Sequence, residues 1–212
     1  MARGRLCLSN GRGVNDQLLW FASRGSGVVS LIMLTGVTVL GLVSLVRWQR
    51  PWWPRFLTAD LHSNLALLSV VFVVVHITAA ILDPFAKLGI SAAAVPFAST
   101  YRPLWVGLGV ISVYLFIAMI VTSLLRERIG QRTWRAVHWA AYLGWPLAVA
   151  HSIGSGSDAF STWMLVVEIC CVGAVAIALA ARIAYGRSNR DRLPVVVSAS
   201  RTSRAPYAET DR

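Results

Sequence analysis

Four histidines, His62, His76, His138 and His151, are the residues of this chain whose type and spacing offer chemistry. Imidazole is both the commonest side-chain metal ligand and an acid-base group. His62 and His76 lie 14 positions apart, and His138 and His151 lie 13 apart. On one helix, 14 residues rise roughly 21 Å and return to within about 40° of the same face, so a single helix would present an imidazole near each of its ends. If the helix carrying the second pair runs parallel to the first, His62 is level with His138 and His76 with His151. Two level pairs of imidazoles suit two bis-His b-type haems, each iron taking one axial nitrogen from each helix, and this chain needs no C-x-x-C-H attachment for it. Zinc fits less well, because the pairs are too far apart to share a metal and no cysteine or carboxylate stands beside them at ligand spacing. The competing reading is four interior histidines hydrogen-bonded between helices, against which stands their arrangement in two pairs of near-equal spacing. One detail resists an ideal helix: 13 residues turn about 220° beyond whole turns. Pro146, between His138 and His151, is expected to kink or rewind the helix and restore the face.

The elements that would position these histidines are membrane helices. Of 212 residues, 56% are hydrophobic and 14% charged, against roughly a quarter charged in a soluble domain. The formal charge is +11, and 19 of the 20 basic residues are arginines lying between long uncharged stretches. A nucleic-acid binder gathers its basic residues on polar surface elements instead. A nuclease, a transcription factor and a disulfide scaffold are excluded, and lipid headgroups become the partner of the cationic loops. Five windows approach the roughly 20 apolar residues that a bilayer requires: 25–46, 61–82, 103–125, 136–157 and 160–181, the last interrupted by Glu168. The expected fold is all-α, a polytopic bundle of five transmembrane helices with two bis-His haems between the second and fourth. Those two spans are separated by one crossing and so run parallel. The organisation expected is a polar N-terminal segment over 1–24 with no removable signal peptide, a haem-binding membrane domain over 25–185, and a basic disordered tail over 186–212.

Five spans put the termini on opposite sides. One side then carries Arg3, Arg5, Arg12, Arg24, Lys87 and Arg102, while the other carries the remaining 14 basic residues. The positive-inside rule makes the richer side cytoplasmic, with the N-terminus out and the C-terminus in, in a bacterial-type plasma membrane. Trp48, Trp52, Trp53, Trp134 and Trp163 fall near span ends and read as an aromatic belt. Glu168 lies roughly 12 Å deep, where a charge is costly, and is either a proton relay or a neutral acid bonded to a neighbouring helix. Arg102 and Lys87 flank an outer loop, where they meet headgroups or an anionic acceptor. Cys170 and Cys171 read as small apolar residues, and Cys7 stands alone, so no disulfide framework is expected.

The segments LHSNLALLSVVFVVVH (61–76) and WRAVHWAAYLGWPLAVAH (134–151) resemble the ferric reductase-like transmembrane domain family, which includes the membrane cores of NADPH oxidases and ferric-chelate reductases. The resemblance covers about residues 19–184. It implies that His62 and His138 ligate an inner b-type haem and His76 and His151 an outer one. Relatives often have six helices and a C-terminal flavin and nicotinamide domain, whereas this sequence shows five spans and a short tail, with no Gly-rich dinucleotide fingerprint. No FAD or NAD site is therefore expected on this chain, and a separate cytoplasmic flavoprotein reductase or quinol is expected to donate electrons. Relatives also often place a basic residue directly after the first inner ligand, where Ser63 stands here, so haem propionate contacts are expected from Arg55, Arg135 or Arg47. The function implied is that of a ferric reductase-like oxidoreductase membrane subunit, a cytochrome b carrying electrons across the bilayer. The acceptor would be a ferric chelate, oxygen, or an extracytoplasmic redox protein as in the family's methionine sulfoxide reductase branch. Two alternatives remain: a quinol-linked di-haem cytochrome b with Glu168 taking a quinol proton, and a haem-free transporter or scaffold.

Overall fold

A computed structural model describes residues 7–45, 55–84, 88–156 and 158–202. Every element among them is a helix: α1 (Cys7–Leu45), α2 (Arg55–Leu82), α3 (Ile90–Ala94), α4 (Pro103–Leu124), α5 (Arg126–His138), α6 (Ala141–Ser155) and α7 (Thr162–Thr202). Four of them contain stretches long and apolar enough to cross a membrane, namely Gln17–Ser44, Leu57–Leu82, Pro103–Leu124 and Thr162–Arg187. Leu67, Val71, Val74, Ile169 and Ile177 are among the many exposed large apolar side chains on these helices, the surface that lipid rather than water would cover. The protein is an integral membrane protein.

Several hydroxyls inside α1 and α4 are satisfied without leaving their own helix. Ser30 donates to the Ser26 carbonyl, Thr35 to Leu31, Thr38 to Leu34 and Thr122 to Ala118, each at 2.7 or 2.8 Å. Such back-bonding four residues along removes the cost of a polar group in hydrocarbon. Pro103 opens α4 at the first turn, where its missing N–H costs nothing.

The sequence expectation of five uninterrupted spans needs correction at the fourth. Residues 136–157 do not form one helix: α5 ends at His138 and α6 begins at Ala141. Between them the hydrogen bonds tighten to the i→i+3 pattern, with Ala140 N on Val137 O at 2.8 Å, Tyr142 N on Trp139 O at 3.1 Å and Leu143 N on Ala140 O at 3.0 Å. The 15 residues of α6 rise only about 22 Å, short of the roughly 30 Å hydrocarbon core. His138 consequently lies at the end of a basic, exposed helix and not inside a span.

Both termini are more helical than the composition suggests. α1 already begins at Cys7, inside the segment expected to be merely polar, and α7 continues past Gly186 to Thr202, into the segment expected to be disordered. Extending an existing helix adds one hydrogen bond per residue fixed and avoids the nucleation cost, so polar residues flanking an apolar span are readily recruited.

α6 is held from three sides. Leu31 of α1, Trp145 and Val149 of α6, and Met164 and Cys171 of α7 form the buried core. Trp145 Nε1 donates to Thr35 Oγ1 at 3.0 Å, and Ser112 of α4 donates to the Gly144 carbonyl at 2.8 Å. α2 instead packs chiefly on α1, antiparallel to it, and faces α6 across a cavity.

Candidate functional site

The cavity between α2 and α6, about 230 Å³ in volume, holds His76 and His151 in its wall, together with Trp20, Arg24, Leu31, Ile77, Phe116 and Ala148. The four histidines meet in the pairs expected from their spacing. The ring centroids of His62 and His138 are 6.3 Å apart, and those of His76 and His151 are 6.2 Å apart. Both α2 histidines thus face their counterparts, so the phase problem of the 13-residue interval is resolved in the fold. The tightened turn over Val137–Leu143 supplies extra rotation, since a 3₁₀ segment turns about 120° per residue against 100° in an α-helix. Pro146 lies inside α6, beyond that turn.

The separation carries chemical meaning. An imidazole nitrogen lies about 2 Å from a bound metal ion, so two rings on opposite sides of one ion, each centred about 1.1 Å behind its nitrogen, stand about 6.2–6.3 Å centre to centre. Both pairs match that spacing. Among the described residues no three His, Cys, Asp or Glu side chains converge on one point.

Three of the four rings are also held by a backbone carbonyl. His62 Nδ1 is 3.1 Å from the Val37 carbonyl, His76 Nδ1 is 2.8 Å from the Ser23 carbonyl, and His151 Nδ1 is 2.9 Å from the Trp105 carbonyl. A carbonyl only accepts, so Nδ1 carries the proton in each, and the lone pair is left on Nε2. This is how ligand histidines are commonly held. His138 differs: its buried Nδ1 has no hydrogen-bond partner among the described residues, and its ring stacks on Trp134 at 5.0 Å and 28°. Trp134 was expected only as a belt residue; nothing short of the tertiary structure marks it as a neighbour of His138 beyond its position four residues before it.

At the His76–His151 end, Arg24 Nε pairs with Asp158 Oδ1 at 2.6 Å. Arg102 is tied down as well, its Nη1 donating to the Gly154 carbonyl at 2.5 Å at the end of α6, where a cation also meets the negative end of the helix dipole. It is thus a cap of α6 and not a free loop cation. Lys87 and Arg47 lie outside the described residues, as do Trp48, Trp52 and Trp53. Arg55 opens α2, and Arg135 is exposed on α5, three residues before His138. Glu168 on α7 is only 5% exposed. Ser152, next to His151, lies beside its carboxyl, and Oε1 has no partner among the described residues. The same residue lines a crevice on the outer side of the bundle with Ile153, Leu165, Ile169 and Val172.

Residues 25–149 match the family model described as ferric reductase like transmembrane component, which is more than half of the chain. No curated protein and no solved structure matches the chain.

Proposed function

The chain belongs to the ferric reductase-like transmembrane component family, and from that premise we propose that it is a membrane b-type cytochrome, holding one haem between His62 and His138 and a second between His76 and His151, that carries electrons across the bilayer. The observation that carries this reading is the spacing of the two histidine pairs, 6.3 and 6.2 Å between ring centroids. Bound there, the two haems supply one-electron oxidation and reduction at two depths of the membrane.

The chain's own residues do the rest. The carbonyls of Val37, Ser23 and Trp105 hold the Nδ1 protons and so fix the tautomer and aim Nε2. Apolar walls such as Leu31, Ile77 and Phe116 keep the local dielectric low, one of the levers that sets a redox potential. Arg55 and Arg135 sit at the His62–His138 end, where they would meet propionates. That end faces the cytoplasm by the arginine count, with the N-terminus outside. The donor is a separate cytoplasmic flavoprotein or quinol, and the acceptor an extracytoplasmic ferric chelate, oxygen or redox protein.

The decisive measurement is a pyridine haemochrome assay with a reduced-minus-oxidised spectrum on detergent-purified protein made with ample haem. Two b-type haems per chain are expected. A haem-free preparation overturns the reading and returns the four histidines to transport or structure.

A second reading, the quinol-linked cytochrome b, is favoured by Glu168. A buried carboxyl with one unpartnered oxygen, lining an apolar crevice at the lipid side of α6 and α7, is placed to accept a proton from a lipid-soluble hydroquinone. On that reading Glu168→Gln leaves both haem spectra and dithionite reduction unchanged, while reduction by a soluble quinol slows by about 100-fold or more, in the range typical of a lost proton-transfer group. Equal quinol reduction rates in the two proteins would remove Glu168 from the mechanism.

A further inference from the structure

Each carbonyl that takes a histidine proton is followed, four residues later on the same helix, by a glycine. The Ser23 carbonyl that receives His76 precedes Gly27, the Val37 carbonyl that receives His62 precedes Gly41, and the Trp105 carbonyl that receives His151 precedes Gly109. We propose that Gly27 and Gly109 are positioning residues for the ligand histidines, each keeping open the approach of one imidazole to a helix carbonyl, with Gly41 as a looser version of the same seat. The inference rests on the haem reading above and deepens it by naming what orients the ligands.

The physical basis is the direction of side chains on a helix. A carbonyl at position i already accepts from the N–H at i+4 and has a second lone pair to spare. The Cα–Cβ bond at i+4 tilts toward the N-terminus, so its side chain lies over the turn that contains carbonyl i. Any residue with a Cβ there crowds whatever approaches that second lone pair.

The distances agree. A Cβ on Gly27 would stand 2.8 Å from His76 Nδ1 and 2.9 Å from its Cε1, and a Cβ on Gly109 would stand 2.5 Å from His151 Nδ1. Neither is a distance that real Cβ atoms tolerate. At Gly41 the approach to His62 Cε1 is 3.5 Å, an ordinary contact, and there the ring is also held more loosely, at 3.1 Å from its carbonyl against 2.8 and 2.9 Å in the other two. His138 has no such seat, and its Nδ1 is unpartnered among the described residues. The grading is tight, tight, loose and absent for His76, His151, His62 and His138. Gly27 and Gly41 are separated by 14 residues, the interval between His62 and His76, as two antiparallel helices in contact along their length require.

The experiment compares Gly27→Ala, Gly109→Ala and Gly41→Ala with Gly25→Ala, whose Cβ would meet nothing within 4 Å. The readouts are haem per chain, the EPR g-values of the oxidised protein and the two midpoint potentials. Gly27→Ala and Gly109→Ala are each expected to alter the same single haem, halving the haem content or shifting that centre's g-values and potential. The other haem keeps its wild-type signature and serves as the internal measure of folding. Gly41→Ala and Gly25→Ala are expected to retain two haems. Wild-type g-values and potentials in both Gly27→Ala and Gly109→Ala overturn the proposal. So does loss of both haems from those two variants with Gly25→Ala intact, since that marks helix packing and not a ligand seat. A wild-type chain without haem defeats the parent reading instead, so the two failures are distinguishable.

Discussion

His76→Ala and His151→Ala are each expected to purify with one haem per chain in place of two, and to lose the same one; His62→Ala and His138→Ala are each expected to lose the other. The expectation follows from the pairing of the rings across α2 and α6 at 6.2 and 6.3 Å and from the distance along α2 between its two histidines, roughly 21 Å. On the proposed function, one substitution would remove one of the two imidazoles that would hold one haem and leave the second pair untouched. Transfer across the bilayer depends on both, so reduction of an external acceptor by a donor on the other side should fall by at least about 100-fold in all four variants, the scale on which loss of an essential group is read. Reduced-minus-oxidised spectra and redox titration check it. A variant set in which His62→Ala and His151→Ala remove the same haem would show that the levels are crossed and the pairing wrong. Within the set, His138→Ala removes the one histidine whose Nδ1 has no hydrogen-bond partner among the described residues.

Gly154→Ala should be the most destabilising single change in the bundle. A Cβ at Gly154 would fall within the indole ring of Trp105, and Gly154 is buried. Trp105 has little freedom to retreat, because its carbonyl holds His151 at 2.9 Å and its ring fills the contact between α4 and α6. Overpacking of this kind costs typically 1–3 kcal/mol and occasionally more, and with ring and backbone both fixed we expect about 3 kcal/mol. For a chain of this size that corresponds to a melting point lower by roughly 6–12 °C. Gly107 makes an instructive contrast. Its Cβ would meet the Phe97 ring, but that ring is 49% exposed in a loop and has room to swing away. Gly107→Ala should therefore cost less than Gly154→Ala in the same thermal unfolding measurement in detergent. Equal melting points for the two would refute the argument from confinement.

The sequence by itself determined the all-helical membrane architecture, because a run of apolar residues long enough to cross a bilayer has no other stable backbone, and α2, α4 and the membrane part of α7 lie close to the windows read from composition. It also made the level pairing of the histidines legible, since rise per residue is fixed and the near-equal intervals of 14 and 13 residues, on segments running the same way, put the imidazoles at similar depths. Three matters were decided only by tertiary structure. The break between His138 and Ala141 carries no proline or glycine to announce it; it reflects the rotation needed to turn both histidines toward α2, a demand made by another helix. The hydrogen bonds of His62, His76 and His151 go to backbone carbonyls of Val37, Ser23 and Trp105, and every residue has a carbonyl, so no residue type marks an acceptor in advance. The glycines that open those carbonyls were visible as letters, but a glycine in an apolar helix has many uses, and only contact with a neighbouring ring assigns this one. Depth in the membrane is a property of one helix and its length, and can be read along the chain. Facing is a property of two helices, and exists only once they are packed.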